Sequence, residues 1–69
     1  MKLSARNQIK GTVISVEDGA VNGIVTLDIG GGKQIISSIT MESIRNLGLK
    51  PGVEAYAIIK ASSVMMAVK

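Results

Sequence analysis

The segment that most narrows the choice of fold runs from Val25 to Ile39. Val25, Leu27 and Ile29 alternate with Thr26 and Asp28, the two-residue period of a strand with one buried face. Gly30-Gly31-Gly32 then frees the backbone for a tight reversal, so Lys33 to Ile39 is predicted to pair back as a hairpin. The flanking sequence agrees. Ile9 to Glu17 is rich in β-branched residues and reads as a strand, with Gly11 marking a bend or a close backbone approach. Asp18-Gly19 opens a loop that runs through Gly23. Val53 to Lys60 alternates, with Val53, Ala55, Ala57 and Ile59 on one side, and Val64 to Val68 reads as a last short strand. The one interruption is Thr40 to Gly48, which has a helix's signals: Thr40 as N-cap, Glu42 in the first turn, Ile44 and Leu47 on one face, and Gly48 as C-cap. Lys50-Pro51-Gly52 then makes a turn. The expected fold class is all-β: a five-stranded OB-like barrel with one short helix between strands 3 and 4. A small SH3-like barrel is the alternative.

Length sets the next limit. Sixty-nine residues make a single domain, 1–69, and a chain this short buries only about 60% of its unfolded surface. There is no Cys for a disulfide framework, and neither Cys nor His for a metal site. Tyr56 is the single aromatic, so the core must be built from aliphatic residues and Met. Oligomerisation is the remaining means of stabilising such a domain. No signal-peptide pattern is present and no apolar run approaches the roughly 18 residues of a membrane span, so a cytoplasmic location without membrane association is expected.

The same composition excludes much chemistry. Without His or Cys, neither Ser-His nor Cys-His nucleophile systems can be assembled. The five carboxylates fall on turns, a helix first turn and polar strand faces, so no enzyme is expected. The glycine triplet is not a phosphate loop: it lacks the GxxxxGK[ST] spacing and precedes a strand. The net charge of +3 suits an anionic partner or ordinary solubility. A single-stranded nucleic-acid-binding barrel is the alternative function, although Tyr56 alone offers a base-stacking surface and the cations form no stripe. What remains is a donor-rich set without acids: Ser4 and Arg6 in the lead-in, Thr40 and Ser43 at the helix start, and Lys60 with the backbone of Ala61. Cations neutralise a small anion and hydroxyl or amide donors satisfy its lone pairs. The competing reading is that Thr40 only caps, Ser43 is idle and Lys60 lies along the strand end with its ammonium in water.

Ser4-Ala5-Arg6-Asn7-Gln8, Ile39-Thr40-x-x-Ser43, Leu47-Gly48-Leu49, Pro51-Gly52 and Ile58-Ile59-Lys60-Ala61-Ser62-Ser63-Val64-Met65 together resemble the molbindin, or Mop, domain over essentially the whole chain. The resemblance implies a cytoplasmic protein that binds molybdate or tungstate, with no other cofactor, assembled as a hexamer from three dimers. It implies oxyanion sites between subunits, where Ser4, Ala5 and Arg6 of one chain meet Thr40, Ser43, Lys60 and Ala61 of a neighbour. It also implies sites near the threefold axis, for which the loop Gly19, Ala20, Val21, Asn22 and Gly23 is the candidate. These metals arrive as tetrahedral dianions already surrounded by oxygen, so their recognition needs donors and not metal ligands. With no room for a further domain, the chain is expected to store or buffer the oxyanion.

Overall fold

In the computed structural model, which describes residues 1–69, four strands are built: β1 (Asn7–Glu17), β2 (Asn22–Gly30), β3 (Lys33–Thr40) and β4 (Glu54–Ile59). Helix α1 (Met41–Leu47) lies between β3 and β4, and a single 3-10 turn (Ala61–Ser63) follows β4. The sheet order is β3-β2-β1-β4 with every neighbour antiparallel, and the sheet curls into half a barrel.

The central hairpin forms as its alternation dictates. Gly31 and Gly32 make a two-residue turn with φ of 62° and 74°, values that glycine takes without the Cβ penalty. Val25 and Leu27 point inward and are buried, opposite Val16 and Val13 of β1 respectively. A bulge at Ile14 separates the pairs Val13–Leu27 and Ser15–Thr26, so that Val13 and Val16 both reach the core side. A Cβ on Gly11 would lie 2.8 Å from Leu27 Cγ and would also strike the Asp28 carbonyl oxygen, so the close approach expected there is real.

Helix α1 starts and stops on its predicted caps. Thr40 Oγ1 accepts a hydrogen bond from the Ser43 N–H at 3.1 Å. Gly48, at φ 65°, closes the other end: its N–H donates to Arg45 O and that of Leu49 to Ile44 O, both at 3.1 Å, the paired bonds of a Schellman motif. Ile44 reaches from the helix into the sheet and joins Val13, Val25 and Leu27 as the four-residue core. Gly23 lets the helix come this close, because a Cβ there would sit 2.6 Å from Ile44 Cδ1.

The fifth strand is a correction. Val64 to Val68 pairs with nothing in the chain, and every residue from Ala61 to Lys69 is exposed. The sequence there reads as a strand, but a strand needs a partner edge, and after the 3-10 turn this segment is paired with neither free edge of its own sheet. The other strands lie where expected with shifted ends. β1 starts at Asn7 and β2 at Asn22, because backbone pairing continues through polar residues that carry no apolar period.

Candidate functional site

The antiparallel pairing of β1 with β4 brings the lead-in and the 3-10 turn together. Asn7 stands opposite Ile59 in the last rung of that ladder, and its Nδ2 donates to Ile59 O at 3.1 Å. Beyond the rung, Ser4, Ala5 and Arg6 form one wall of a groove of about 220 Å3, and Lys60, Ala61 and Ser62 form the other. Gln8 Nε2 donates to Ala5 O at 3.3 Å, folding the lead-in back on itself.

The groove holds two cations and no acid. The chain's one ion pair joins Lys10 to Glu54 at 3.6 Å, so neither Arg6 nor Lys60 is neutralised by a carboxylate. In the 3-10 turn the N–H groups of Ser63 and Val64 are taken by Lys60 O and Ala61 O, at 2.9 and 3.2 Å. The N–H groups of Ala61 and Ser62, one turn earlier, make no such bond. The residues that line this one space thus carry two charged side chains, two free amides and the hydroxyls of Ser4 and Ser62. Such a site suits a compact anion and offers nothing to a metal cation; no cluster of three or more His, Cys, Asp or Glu exists anywhere in the chain.

Thr40 and Ser43 lie elsewhere. Thr40 pairs with Asn22 at the start of β2, beyond the C-terminal end of β1, whereas Lys60 follows the residue opposite Asn7 at its N-terminal end. The 11-residue β1 between them spans roughly 33 Å. Lys60 and Ala61 thus share a groove with Ser4, Ala5 and Arg6 of their own chain, and not with Thr40 and Ser43 as the sequence reading had them grouped. The two hydroxyls are bonded to each other, Thr40 Oγ1 donating to Ser43 Oγ at 2.9 Å, which leaves the Ser43 proton free to donate outward.

Of the Gly19 to Gly23 loop, Gly19, Ala20 and Val21 are exposed between β1 and β2. Val21 O accepts from the Met41 N–H at 2.8 Å, and Gly23 is buried under the helix, so this end of the loop has a packing role. A larger groove, about 550 Å3, lies alongside α1 with Arg45 and Lys50 on its rim, but Asp18 shares it and makes it less suited to an anion. Sequence reasoning missed Ser62, which lines the groove, and Asn7, which ties the ladder beside it. Ser62 lay within the Lys60-Ala61-Ser62-Ser63 segment, while the part of Asn7 depends on a pairing between residues 52 apart.

Residues 3–66 match the TOBE domain family. The chain is 55% identical over 69 residues, the full length of both, to a probable molybdenum-pterin-binding protein of Haemophilus influenzae. Among solved structures it resembles MopII from Clostridium pasteurianum, with a TM-score of 0.91 and 42% identity, covering 97% of this chain and all of that one. It also resembles ModG, a cytoplasmic molybdate-binding protein solved with molybdate bound, at a TM-score of 0.90 and 54% identity over 94% of this chain; the match spans 46% of the ModG chain.

Proposed function

Because this chain belongs to the TOBE family, in its molbindin or Mop branch, whose members are binding proteins and not enzymes, we propose that it binds molybdate or tungstate at sites completed between subunits. The observation that carries this reading is the separation of two donor sets to opposite ends of β1. The Ser4-Arg6/Lys60-Ser62 groove supplies both charges, and the Thr40–Ser43 pair supplies hydroxyls roughly 33 Å away along the strand. One chain cannot close both sets on one ion. A second copy, turned so that its helix start faces this groove, can.

The chemistry follows from the ion. A tetrahedral dianion presents four oxygens that only accept hydrogen bonds, so a site made of donors needs no proton transfer and no base. Arg6 and Lys60 offset its two charges, the free N–H groups of Ala61 and Ser62 bond one face, and the partner's Ser43 hydroxyl bonds another. Molybdate and tungstate share charge and shape, so the same donors serve both. Binding without turnover suits storage or buffering of the oxyanion in the cytoplasm, by a hexamer of three dimers. The molybdenum ligand is supported by the relative from Haemophilus influenzae, named a probable molybdenum-pterin-binding protein.

Complementation tests the shared site. Arg6→Ala and Thr40→Ala each damage one half of every site, so each homo-oligomer binds molybdate weakly. A mixture refolded together contains some sites with both halves intact and regains part of the tight binding, counted by native mass spectrometry with and without molybdate. A mixture no better than its components would refute sites shared between chains.

A further inference from the structure

Asn7 occupies a core-side position that its strand otherwise gives to small or apolar residues. Ile9, Gly11 and Val13 follow it on the same face of β1, while Gln8 and Lys10 alternate with them on the exposed face. A half-buried amide costs free energy unless it is hydrogen-bonded, and Asn7 uses its Nδ2 on Ile59 O, 52 residues away, at 3.1 Å. Gln8 folds back instead, its Nε2 donating to Ala5 O at 3.3 Å. The other side-chain hydrogen bonds of the chain lie in the hairpin turn and at the cap of α1. These two alone adjoin the groove between Ser4, Ala5, Arg6 and Lys60, Ala61, Ser62.

Each amide holds one wall. Ile59 is the residue immediately before Lys60, and the 3-10 turn that follows has no side-chain cap of its own. The bond from Asn7 therefore fixes the point at which Lys60, Ala61 and Ser62 leave the sheet. Ala5 sits between Ser4 and Arg6, so the bond from Gln8 fixes the opposite wall. Neither Asn7 nor Gln8 lines the groove itself.

We infer that Asn7 and Gln8 are a pair of positioning residues that set the gap between the two walls, acting on the bound ion only through the residues they hold; the inference rests on the oxyanion reading above. Its physical basis is preorganisation. Arg6 and Lys60 are long and adaptable, whereas Ala61 and Ser62 donate from backbone, and the distance from those N–H groups to the Ser4–Arg6 wall decides which ion touches both walls at once. A gap held at one width also discriminates between ions. Sulfate has the charge and shape of molybdate but shorter bonds to oxygen, so it meets one wall at the expense of the other. Loosened walls can close on the smaller ion, and the preference for molybdate narrows.

The test uses Asn7→Leu and Gln8→Met in the full chain. Both substitutions keep the approximate size of the side chain, remove its donor and change no charge, so lost affinity is not lost Coulomb attraction. Calorimetry is expected to show molybdate binding weakened about tenfold or more in Asn7→Leu, the scale of losing a partner that orients a ligating group. In Gln8→Met, whose bond is longer and exposed, the loss is about threefold. Sulfate binding changes less in both variants. In molybdate-saturated Asn7→Leu the amide resonances of Ala61 and Ser62 leave their wild-type positions, while those of Gly31 and Gly32 in the hairpin turn do not. A merely stabilising role would lower the thermal melt and leave the molybdate-to-sulfate ratio as it is in the wild type. Asn7→Ala, which adds no bulk, repeats the measurements if the leucine variant does not fold. A wild-type ratio in these variants, with Ala61 and Ser62 resonances unmoved, overturns the positioning role and leaves the oxyanion reading standing. A wild-type protein that takes up no molybdate refutes that reading, and the positioning role with it.

Discussion

Replacing Arg6 by Ala removes one of two cations from a groove in which nothing else neutralises charge. A hydrogen bond to a charged group contributes about 1.5–3 kcal/mol. Since 1.4 kcal/mol is a factor of ten, losing one such bond weakens molybdate binding between about tenfold and 150-fold. The lower end is expected if water still reaches the guanidinium in the assembly, since Arg6 is exposed in the single chain. The fold is predicted not to notice. Arg6 makes no internal ion pair or side-chain hydrogen bond, so its removal belongs with surface changes of within about 0.5 kcal/mol. Arg6→Lys separates charge from geometry: it retains the charge, loses the planar fork and falls between the wild type and Arg6→Ala. Isothermal titration calorimetry gives the affinities and a thermal melt of each ligand-free variant gives the stability. Unchanged affinity in Arg6→Ala, with an unchanged melt, would refute the assignment of this groove to the anion.

Gly23→Ala is expected to act on the fold and not on the groove. Its new Cβ would meet Ile44 Cδ1 at 2.6 Å, Met41 Sδ at 2.8 Å and the Glu17 carbonyl oxygen at 2.9 Å; the last is backbone and cannot step aside, so about 1–3 kcal/mol is lost in urea denaturation. Thr40→Val keeps the shape but removes the cap, lowering stability by about 1 kcal/mol and weakening molybdate binding; Thr40→Ser restores both, and a Val variant with wild-type affinity would confine Thr40 to capping.

Much of this architecture was legible because its signals are local. Alternation between Val25 and Ile29, a glycine triplet, and a Thr and a Gly eight residues apart each act within one turn or one rung, and the central hairpin and α1 formed there. What failed depended on distant partners. Val64 to Val68 has the pattern of a strand, but a pattern says only that one face wants burial, not which edge will bury it. Lys60 was grouped with Thr40 on the family resemblance; within one chain, the antiparallel register of β1 and β4 sets it beside Arg6, a neighbourhood no local pattern announces. Asn7 was read as part of a polar lead-in, and its bond to Ile59 O spans nearly the whole chain.

The bulge at Ile14 works as a skipped beat in β1. Counting from the N-terminus, the core-side positions are 9, 11 and 13, then 16, so the strand changes parity once, opposite the step from Leu27 to Thr26. Deleting Ile14 would give an unbroken two-residue rhythm with Val13 and Val16 both still inward. It would remove the extra residue that strengthens local twist and bends the strand. In most sheets a one-residue deletion turns a strand inside out. Here it would change the curl alone, and with it the direction in which the two ends of β1 hold their separate donor sets.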